Sequence, residues 1–286
     1  MLTHVKNRIE SIINNINQLP SIPEVASHVL NMVNNPDIDF KQVAAEISKD
    51  QALTTNLLKL CNSAYFSKGK EISSLDRAIV TLGIKEVKDA VLVIATRTVL
   101  DKVVMGYDLT KGMLWQHGVA VAMMAKKIAM LTGEKARADI AFTGGLIHDV
   151  GKTVLALFVQ NVFKDIMNAV ENQSLSFHSA EKATMGSEHQ AIGEKVVEKW
   201  KCPEILKDIV RFHHQPFESS ETNRKMVSIV HIANSVCLMA GIGIGSDGLF
   251  HELSTEAIAL TGLADVQLES LYSEIPELLN QTKDIV

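Results

Sequence analysis

Apolar residues recur every three to four positions along most of this chain. Branched apolar residues line one face of a predicted amphipathic helix over residues 1–18. The same period continues in QALTTNLLKLCNSAYF and in GMLWQHGVAVAMMAKKIAMLTG. The strict alternation of apolar and polar residues that is typical of strands is hard to find. The pattern therefore predicts an all-α protein.

Polar residues that commonly begin helices precede several of these segments. Ser21, Asp39 and Asp50 each stand where a side-chain oxygen can accept a hydrogen bond from an N–H group of the first turn. Pro23 follows Ser21 and suits the first turn of a helix, where its missing N–H group is not needed. These residues predict the starts of three helices in the first fifty or so residues.

Gly83 is predicted to divide the segment SSLDRAIVTLGIKEVKDAVLVIA into two helices. The spacing is compatible with a helix–turn–helix, and a nucleic-acid-associated regulator is therefore one alternative. The second helix is mostly apolar after Lys88, so we expect it to be buried rather than placed in a DNA groove.

The residues with chemical potential are concentrated in one part of the chain. Nearly all candidate ligands lie between His117 and Asn234. We therefore expect an N-terminal helical lobe over residues 1–107, and a helical bundle with additional C-terminal helices over residues 108–286. The tail segments HELSTEAIALTGL and VQLESLYSEIPELLNQ are each predicted to be an amphipathic helix.

The composition is that of a globular protein and excludes some partners. Hydrophobic residues make up 47% and charged residues 21% of the chain, with only six prolines. The net charge of −5 argues against nonspecific nucleic-acid binding. The three cysteines have no metal-ligand spacing, and the N-terminal segment lacks the apolar core of a signal peptide. We therefore expect a cytoplasmic protein with reduced, mostly buried thiols.

One segment has the length of a membrane span. Residues 226–246 contain no Asp, Glu, Lys or Arg. The segment includes His231 and Asn234 and ends in GIGIG, so a buried central helix is the better interpretation, and no membrane partner is expected. The glycines do not follow a predicted strand, which argues against a dinucleotide-binding loop.

The stretch GGLIHDVGK, from Gly144 to Lys152, carries the main chemical signal. It places His148 beside Asp149 in what we predict to be a buried apolar helix. A buried imidazole next to a buried carboxylate is costly unless a metal ion or a hydrogen-bond network compensates. Lys152 lies four residues after His148 on the same predicted face, where its charge could hold an anion such as a phosphate.

Further histidines extend this pair into a candidate metal site. Imidazole and carboxylate ligands suit divalent first-row metals such as Fe, Mn, Ni or Zn. The alternative is that each histidine is a hydrogen-bonded core residue. The candidate ligands are His117, His148, Asp149, His189, His213 and His214. The remaining histidines, which we expect to be surface or structural residues, are His4, His28, His178, His231 and His251.

GGLIHDVGK resembles the signature of the HD superfamily of metal-dependent phosphohydrolases. The wider pattern is similar to the HDOD domain, a bacterial signalling relative. It comprises LPSIPEVASHVL, ISKDQALTTNLLKLCNSAYF, the ISSLDRAIVTLGIKEVKDAVL run, GGLIHDVGK, and EHQAIGEKVVEKWKCPEILKDIVRFHH, and together these cover about residues 19–216. The resemblance implies an HD-like helical bundle and a regulatory or scaffolding role.

The match to the active HD enzymes is partial. The resemblance implies that His148 and Asp149 are the paired metal ligands, with Lys152 as the lysine of the same motif. Met113 and Asn234 stand where the enzymes have carboxylates, and the glycine-tyrosine-proline segment of the cyclic-di-GMP phosphodiesterases is absent. Loss of two carboxylates makes a second metal ion doubtful and weakens the case for hydrolysis.

Two functional hypotheses follow. The first is a regulatory HDOD protein that acts through contacts with other signalling proteins, with a bound metal or nucleotide as a candidate gate. The second is a metal-dependent phosphohydrolase in which Lys152 steadies the phosphate and is the catalytic residue.

Overall fold

The regular secondary structure of the described residues in the computed structural model is helical. No strand occurs among them, and the β-structure that they contain is one isolated antiparallel bridge between Val104 and Leu109. The prediction of an all-α protein is confirmed. The predicted helix over residues 1–18 and the predicted cap at Ser21 lie outside the described residues. The structure describes residues 24–32, 39–67, 69–246, 248 and 253–285.

The chain divides into two compact units. The first, which we call the N-terminal unit, comprises the described residues of Ser21–Thr98 and of Pro276–Val286. Its helices are α1 (Glu24–Met32), α2 (Phe40–Ile47), α3 (Gln51–Cys61), α4 (Ala64–Ser67), α5 (Leu75–Leu82) and most of α6 (Ile84–Leu100).

Local sequence signals determine where several of these helices begin. The Asp39 side chain accepts from the backbone N–H of Lys41, and that of Asp50 accepts from Leu53, both at 2.9 Å. Gly83 separates α5 from α6 and has a φ of 88°, which suits glycine. The predicted caps and the predicted break at Gly83 are therefore confirmed.

The second unit, the histidine unit, spans Val99–Ile275. Its helices are α7 (Met113–Leu131), α8 (Ala138–Ile147), α9 (Lys152–Gln173), α10 (Phe177–Met185), α11 (His189–Lys199), α12 (Glu204–Phe212), α13 (Glu221–Met239), α14 (Thr255–Thr261) and α15 (Asp265–Ser273). Helix α16 (Ile275–Ile285) follows. Short 3-10 helices occupy Lys135–Arg137 and Pro216–Glu218.

Helices α7, α8 and α13 pack together as the centre of the histidine unit. Every residue of α13 from Met226 to Leu238 is buried, which confirms the predicted central helix. Among the described residues, no single helix is long and apolar enough to cross a membrane. One pair of segments, Lys135–Ala156 and Phe158–Gln173, passes by length and composition together but is bent by 99°.

The domain boundary expected near residue 107 stays a prediction, and the compact units divide between Thr98 and Val99. Residues from Val99 onward belong with the histidine unit, and Pro276–Val286 belongs with the N-terminal unit. One reason lies in the loop after α6. There the buried Tyr107 hydroxyl donates to Glu181 of α10, and the Tyr107 carbonyl accepts from Ser246.

Candidate metal centre

His148 and Asp149 lie in a turn between two helices. Helix α8 ends at Ile147, and α9 begins at Lys152. The prediction that the pair lies inside one helix is therefore wrong. The His148 ring Nδ1 donates to the Gly145 carbonyl at 2.7 Å, which is the acceptor that the Asp149 N–H would need in a continuing α-helix. The side chain thus competes with the helix for that carbonyl.

Gly151 permits this turn to approach α11. A Cβ atom at this position would lie 1.9 Å from the carbonyl oxygen of His189, at the start of α11. No side chain fits there, and the close contact brings the His148–Asp149 turn next to the first residue of α11.

The first cluster consists of His117, His148 and Asp149, and all three are buried. The His117 Nε2 atom lies 3.9 Å from Asp149 Oδ2, and His148 Nε2 lies 3.4 Å from the same oxygen. His117 Nδ1 donates to the Ile242 carbonyl at 2.8 Å, while its Nε2 lies 3.0 Å from Asn234 Oδ1.

The second cluster consists of His189, His213 and His214. His189 begins α11, and His213 directly follows α12. The Nε2 atoms of His189 and His214 are 3.1 Å apart. His213 Nδ1 donates to the Val210 carbonyl at 2.9 Å, which orients the ring.

Asp149 belongs to the first cluster and also faces the second, with one carboxylate oxygen on each side. Its Oδ1 atom lies 3.6 Å from His189 Nε2 and 3.5 Å from His213 Nε2. Its Oδ2 atom faces the first cluster and also accepts from the Lys152 ammonium at 2.6 Å. Lys152 is buried, with its Nζ 5.7 Å from the centre of the Tyr107 ring.

Glu181 is a functional candidate that the sequence did not suggest. It is fully buried and accepts three hydrogen bonds, from the Tyr107 hydroxyl, the His189 backbone N–H and the His189 ring Nδ1. The ring contact is 2.7 Å long. Three donors directed at one carboxyl group identify Glu181 as the acceptor, so His189 Nδ1 carries a proton and its Nε2 lone pair points towards the clusters.

Four of the imidazoles therefore share one arrangement. His117, His148 and His213 each donate Nδ1–H to a backbone carbonyl, and His189 donates to the Glu181 carboxylate. A histidine that ligates a metal almost always donates its other ring N–H to a carbonyl or carboxylate in this way. In each ring the Nε2 atom lies 3.4–3.9 Å from an oxygen of Asp149.

Several of the inward-facing atoms are buried and have no hydrogen-bond partner among the described residues. They are His148 Nε2, His213 Nε2 and Asp149 Oδ1. Buried polar atoms are normally satisfied, and lone pairs converging on one carboxylate are the donor set that a divalent first-row metal requires. The residues present therefore fit a metal ion.

Burial and neighbouring charges shift the pKa values in the centre. Burial lowers the pKa of His117 to about 4 and holds that of His213 well below its usual range. Burial alone would raise the pKa of Asp149, but the neighbouring His148 ring and the Lys152 ammonium outweigh it and hold that pKa well below normal. Burial would lower the pKa of His189, whereas the Glu181 carboxylate raises it overall. The centre thus presents a carboxylate to neutral imidazoles at His117 and His213.

A family comparison decides what kind of protein this is. The HDOD domain family matches residues 19–216, which is more than half of the chain. The chain belongs to the HDOD family. The predicted resemblance is confirmed over the expected residues.

Relatives of this HDOD chain are distant in sequence. An uncharacterized protein of Treponema pallidum (strain Nichols) is 25% identical over 224 residues, which cover 78% of this chain and 43% of that protein. The HDOD chain therefore spans less than half the length of that relative.

Two crystal structures resemble the HDOD chain over nearly their whole length. One is an HDOD domain protein of unknown function from Geobacter sulfurreducens, with a TM-score of 0.80, 23% identity and 99% of each chain covered. The other, from Shewanella amazonensis SB2B, is described provisionally as a phosphohydrolase, with a TM-score of 0.72, 23% identity and 96% of each chain covered. At these identities the likeness shows the fold, and the predicted HD-like architecture is confirmed.

The structure brings all six candidate ligands of the HDOD chain, together with Lys152, into one region. Other histidines lie around them: the His178 ring stacks on His214, with planes 3° apart and centres 4.9 Å apart, and His231 Nδ1 donates to the His213 carbonyl. The other histidines are not part of the candidate site or lie outside the described residues. His28 is exposed and forms a hydrogen bond with Glu46 in the N-terminal unit. His4 and His251 lie outside the described residues. The Met113 sulfur accepts from the Thr110 backbone N–H.

Proposed function

We propose that this chain is a regulatory HDOD protein in which a divalent first-row metal, held at the histidine centre, conditions contacts with other signalling proteins. One observation carries the proposal: imidazoles anchored through Nδ1 direct their Nε2 atoms at a single buried carboxylate, Asp149. The ligands would be drawn from His117, His148, Asp149, His189, His213 and His214. A bound metal would provide Lewis acidity and a fixed positive charge at this point.

The charge balance favours regulation over hydrolysis. A hydrolytic metal centre needs anionic ligands and groups that orient a water molecule. Asp149 is the one carboxylate that directly faces the imidazole Nε2 atoms among the described residues, and Asn234 is neutral. The Lys152 ammonium, which the hydrolytic hypothesis assigns to a phosphate, is bonded to Asp149 at 2.6 Å inside the protein.

A surface loop offers a path from the centre to a partner. Val103 and Met105 are large apolar residues that are about half exposed, at 57% and 49%. They precede Tyr107, whose hydroxyl bonds the carboxylate that orients His189. A change in the position of His189 would therefore be transmitted through Glu181 and Tyr107 to an exposed apolar loop. Protein partners use surfaces of this type.

The test combines metal content, hydrolysis and hydrogen exchange. Protein purified without chelator should contain a first-row metal, by elemental analysis, and His148→Ala with Asp149→Ala should lose it. Metal-loaded protein should not hydrolyse bis(p-nitrophenyl) phosphate or cyclic dinucleotides above the rate of Asp149→Ala. Loading with Mn²⁺ should slow amide exchange in residues 101–112. Metal retained by the double variant, or unchanged exchange in this loop, would contradict the proposal.

The second candidate is a metal-dependent phosphohydrolase. The observation that favours it is Asp149, which presents one oxygen to each cluster, as a carboxylate shared between two ions would. The similar Shewanella amazonensis structure carries the same provisional description. Turnover of either diester that disappears in Asp149→Ala and falls strongly in Lys152→Met would establish this function and displace the regulatory one.

A further inference from the structure

The two oxygens of Asp149 face unequal surroundings. On the side of the first cluster, Oδ2 is already bonded to the Lys152 ammonium at 2.6 Å. On the side of the second cluster, Oδ1 is buried and has no hydrogen-bond partner among the described residues. A cation close to a carboxylate oxygen opposes the binding of a second cation at the same oxygen, so the Oδ1 side is the more favourable place for a metal ion.

Asn234 also makes the first cluster a less favourable place for a metal ion than the second. Its amide oxygen Oδ1 is placed 3.0 Å from His117 Nε2, and His117 Nδ1 already donates to the Ile242 carbonyl. The Nε2 atom of that tautomer can only accept, so the oxygen and nitrogen of the Asn234 amide must be exchanged for the hydrogen bond to form, with the NH₂ group as the donor. The lone pair that His117 would give to a metal is therefore held by an amide NH₂ group, which is not a metal ligand. The partner of His189 Nε2 is instead another imidazole, His214, which can ligate the same ion.

On the side of the second cluster, a further carboxylate lies behind one of the imidazoles. The Glu181 carboxylate lies directly behind His189, with 2.7 Å between Oε2 and Nδ1. This carboxylate–histidine pair raises the basicity of the Nε2 ligand atom. Among the described residues, the groups behind the imidazoles of the first cluster are the backbone carbonyls of Ile242 and Gly145.

We propose that the chain holds one metal ion, bound by His189, His213, His214 and Asp149 Oδ1, and that Lys152 and Asn234 take the place of a second ion at the first cluster. The ammonium supplies the positive charge on Oδ2, and the amide supplies the hydrogen bond to His117. This inference rests on the metal-dependent function proposed above. It assigns the ion to the side away from His117 and makes the other side a permanent part of the protein scaffold.

The experiment is a titration of the metal-free full chain with Mn²⁺, read by elemental analysis and by electron paramagnetic resonance. We expect one ion per chain with the spectrum of an isolated Mn²⁺. His189→Gln and His213→Gln should each weaken binding at least tenfold, while the equally buried His117→Gln should stay within about threefold of the unmodified chain. Circular dichroism and thermal melting establish that each variant is folded.

Asn234 provides a gain-of-binding test that does not depend on losing a ligand. Asn234→Asp with Lys152→Met adds a carboxylate next to His117 and removes the ammonium from Oδ2, so this double variant should bind two ions and show the spectrum of a spin-coupled pair. The matched control, Asn234→Ala with Lys152→Met, removes the ammonium without adding a carboxylate and should still bind one ion. A double variant with Asn234→Asp that still binds one ion would contradict the roles given to Asn234 and Lys152.

The outcomes separate this inference from the function on which it rests. Two coupled ions in the unmodified chain would overturn it and leave a metal-dependent function in place. So would a single ion that is lost in His117→Gln and kept in His189→Gln and His213→Gln. A chain that binds no Mn²⁺, Fe²⁺, Ni²⁺ or Zn²⁺ would overturn the proposed metal-dependent function and this inference with it.

Discussion

At the scale of single residues, the centre depends on acceptors that hold each imidazole in one orientation. His189 illustrates this, because Glu181 accepts from both its ring and its backbone N–H. The carboxylate fixes the ring and adds negative charge behind it. Such groups behind the ligands commonly change metal affinity by about 10–100-fold when they are altered.

The variant Glu181→Gln removes the negative charge of this residue and keeps its shape. A glutamine oxygen can still accept from His189, and its NH₂ group can donate to the Tyr107 oxygen, so the shape is kept and the charge is lost. We expect Mn²⁺ affinity to fall about tenfold, measured by competition with a chelating dye. Glu188→Gln is the matched control, because this buried carboxylate bonds Arg211 instead of a ligand. Equal affinities for the two variants would show that Glu181 does not support a metal ligand.

The cysteines give a second prediction at the residue scale. Burial raises the pKa of Cys61 to about 12 and that of Cys202 to about 11, and it also raises the pKa of the buried Cys237. The thiolate is the reactive form, so all three should be modified slowly in the native protein. At pH 8 we expect alkylation by iodoacetamide to be at least about 100-fold slower than in the urea-unfolded chain. A thiol that is alkylated rapidly in the native state would contradict the burial of that residue.

At the scale of helices, periodicity and caps predict most of the architecture because they act locally. Asp39, Asp50 and Gly83 mark the ends of helices as their chemistry requires. The turn at His148 was not predictable in this way, since it depends on a side chain that takes the Gly145 carbonyl. The predicted helix VQLESLYSEIPELLNQ is likewise divided at Glu274 into α15 and α16, with Pro276 tolerated in the first turn of α16.

The candidate site was predictable to a similar extent. The residue types of the six ligands pointed to a metal, and their shared location is what the structure adds. Glu181 lies in the polar segment SAEKATM, where a glutamate looks like an ordinary surface residue. The Ile242 carbonyl belongs to the backbone, so no residue type in GIGIG signals that it orients His117. Contacts between distant segments of the chain determine both.

Packing between helices leads to a prediction about Gly151. An alanine here would place its Cβ against the backbone of α11, 1.9 Å from the His189 carbonyl oxygen, so helices must move apart. We expect Gly151→Ala to destabilise the chain by about 3 kcal/mol or more, at or beyond the upper end for overpacked sites. Urea unfolding measures this cost. Gly144→Ala is the control from the same motif, because the three atoms nearest to its Cβ all belong to the Ile209 side chain, which can adjust.

The test is whether Gly151→Ala lowers the free energy of unfolding more than Gly144→Ala does. A Gly144→Ala variant that is as destabilised as Gly151→Ala would mean that the approach of the turn to α11 has no special role. Weaker Mn²⁺ binding by Gly151→Ala than by Gly144→Ala would link this contact to the position of His189.

At the scale of the whole molecule, the candidate metal centre lies in one of the two units. The six candidate ligands, Lys152, Glu181 and Asn234 all belong to Val99–Ile275. A ligand that binds only the folded state stabilises the unit to which it binds. Metal binding should therefore stabilise the histidine unit, and the response of the N-terminal unit measures how far the effect is transmitted.

The expected size of this stabilisation follows from mass action. Free Mn²⁺ at 100 times its dissociation constant stabilises the folded state by about 2.7 kcal/mol. For a unit of this size that corresponds to a rise of roughly 5–11 °C in Tm. Differential scanning calorimetry of the full chain with Mn²⁺ and with chelator measures the rise, and hydrogen exchange during heating assigns the transition to α8–α12. In the double variant His189→Gln with His213→Gln the rise should disappear, because the ligands that link metal binding to folding are gone. A rise that persists in this variant would place the ion elsewhere in the molecule.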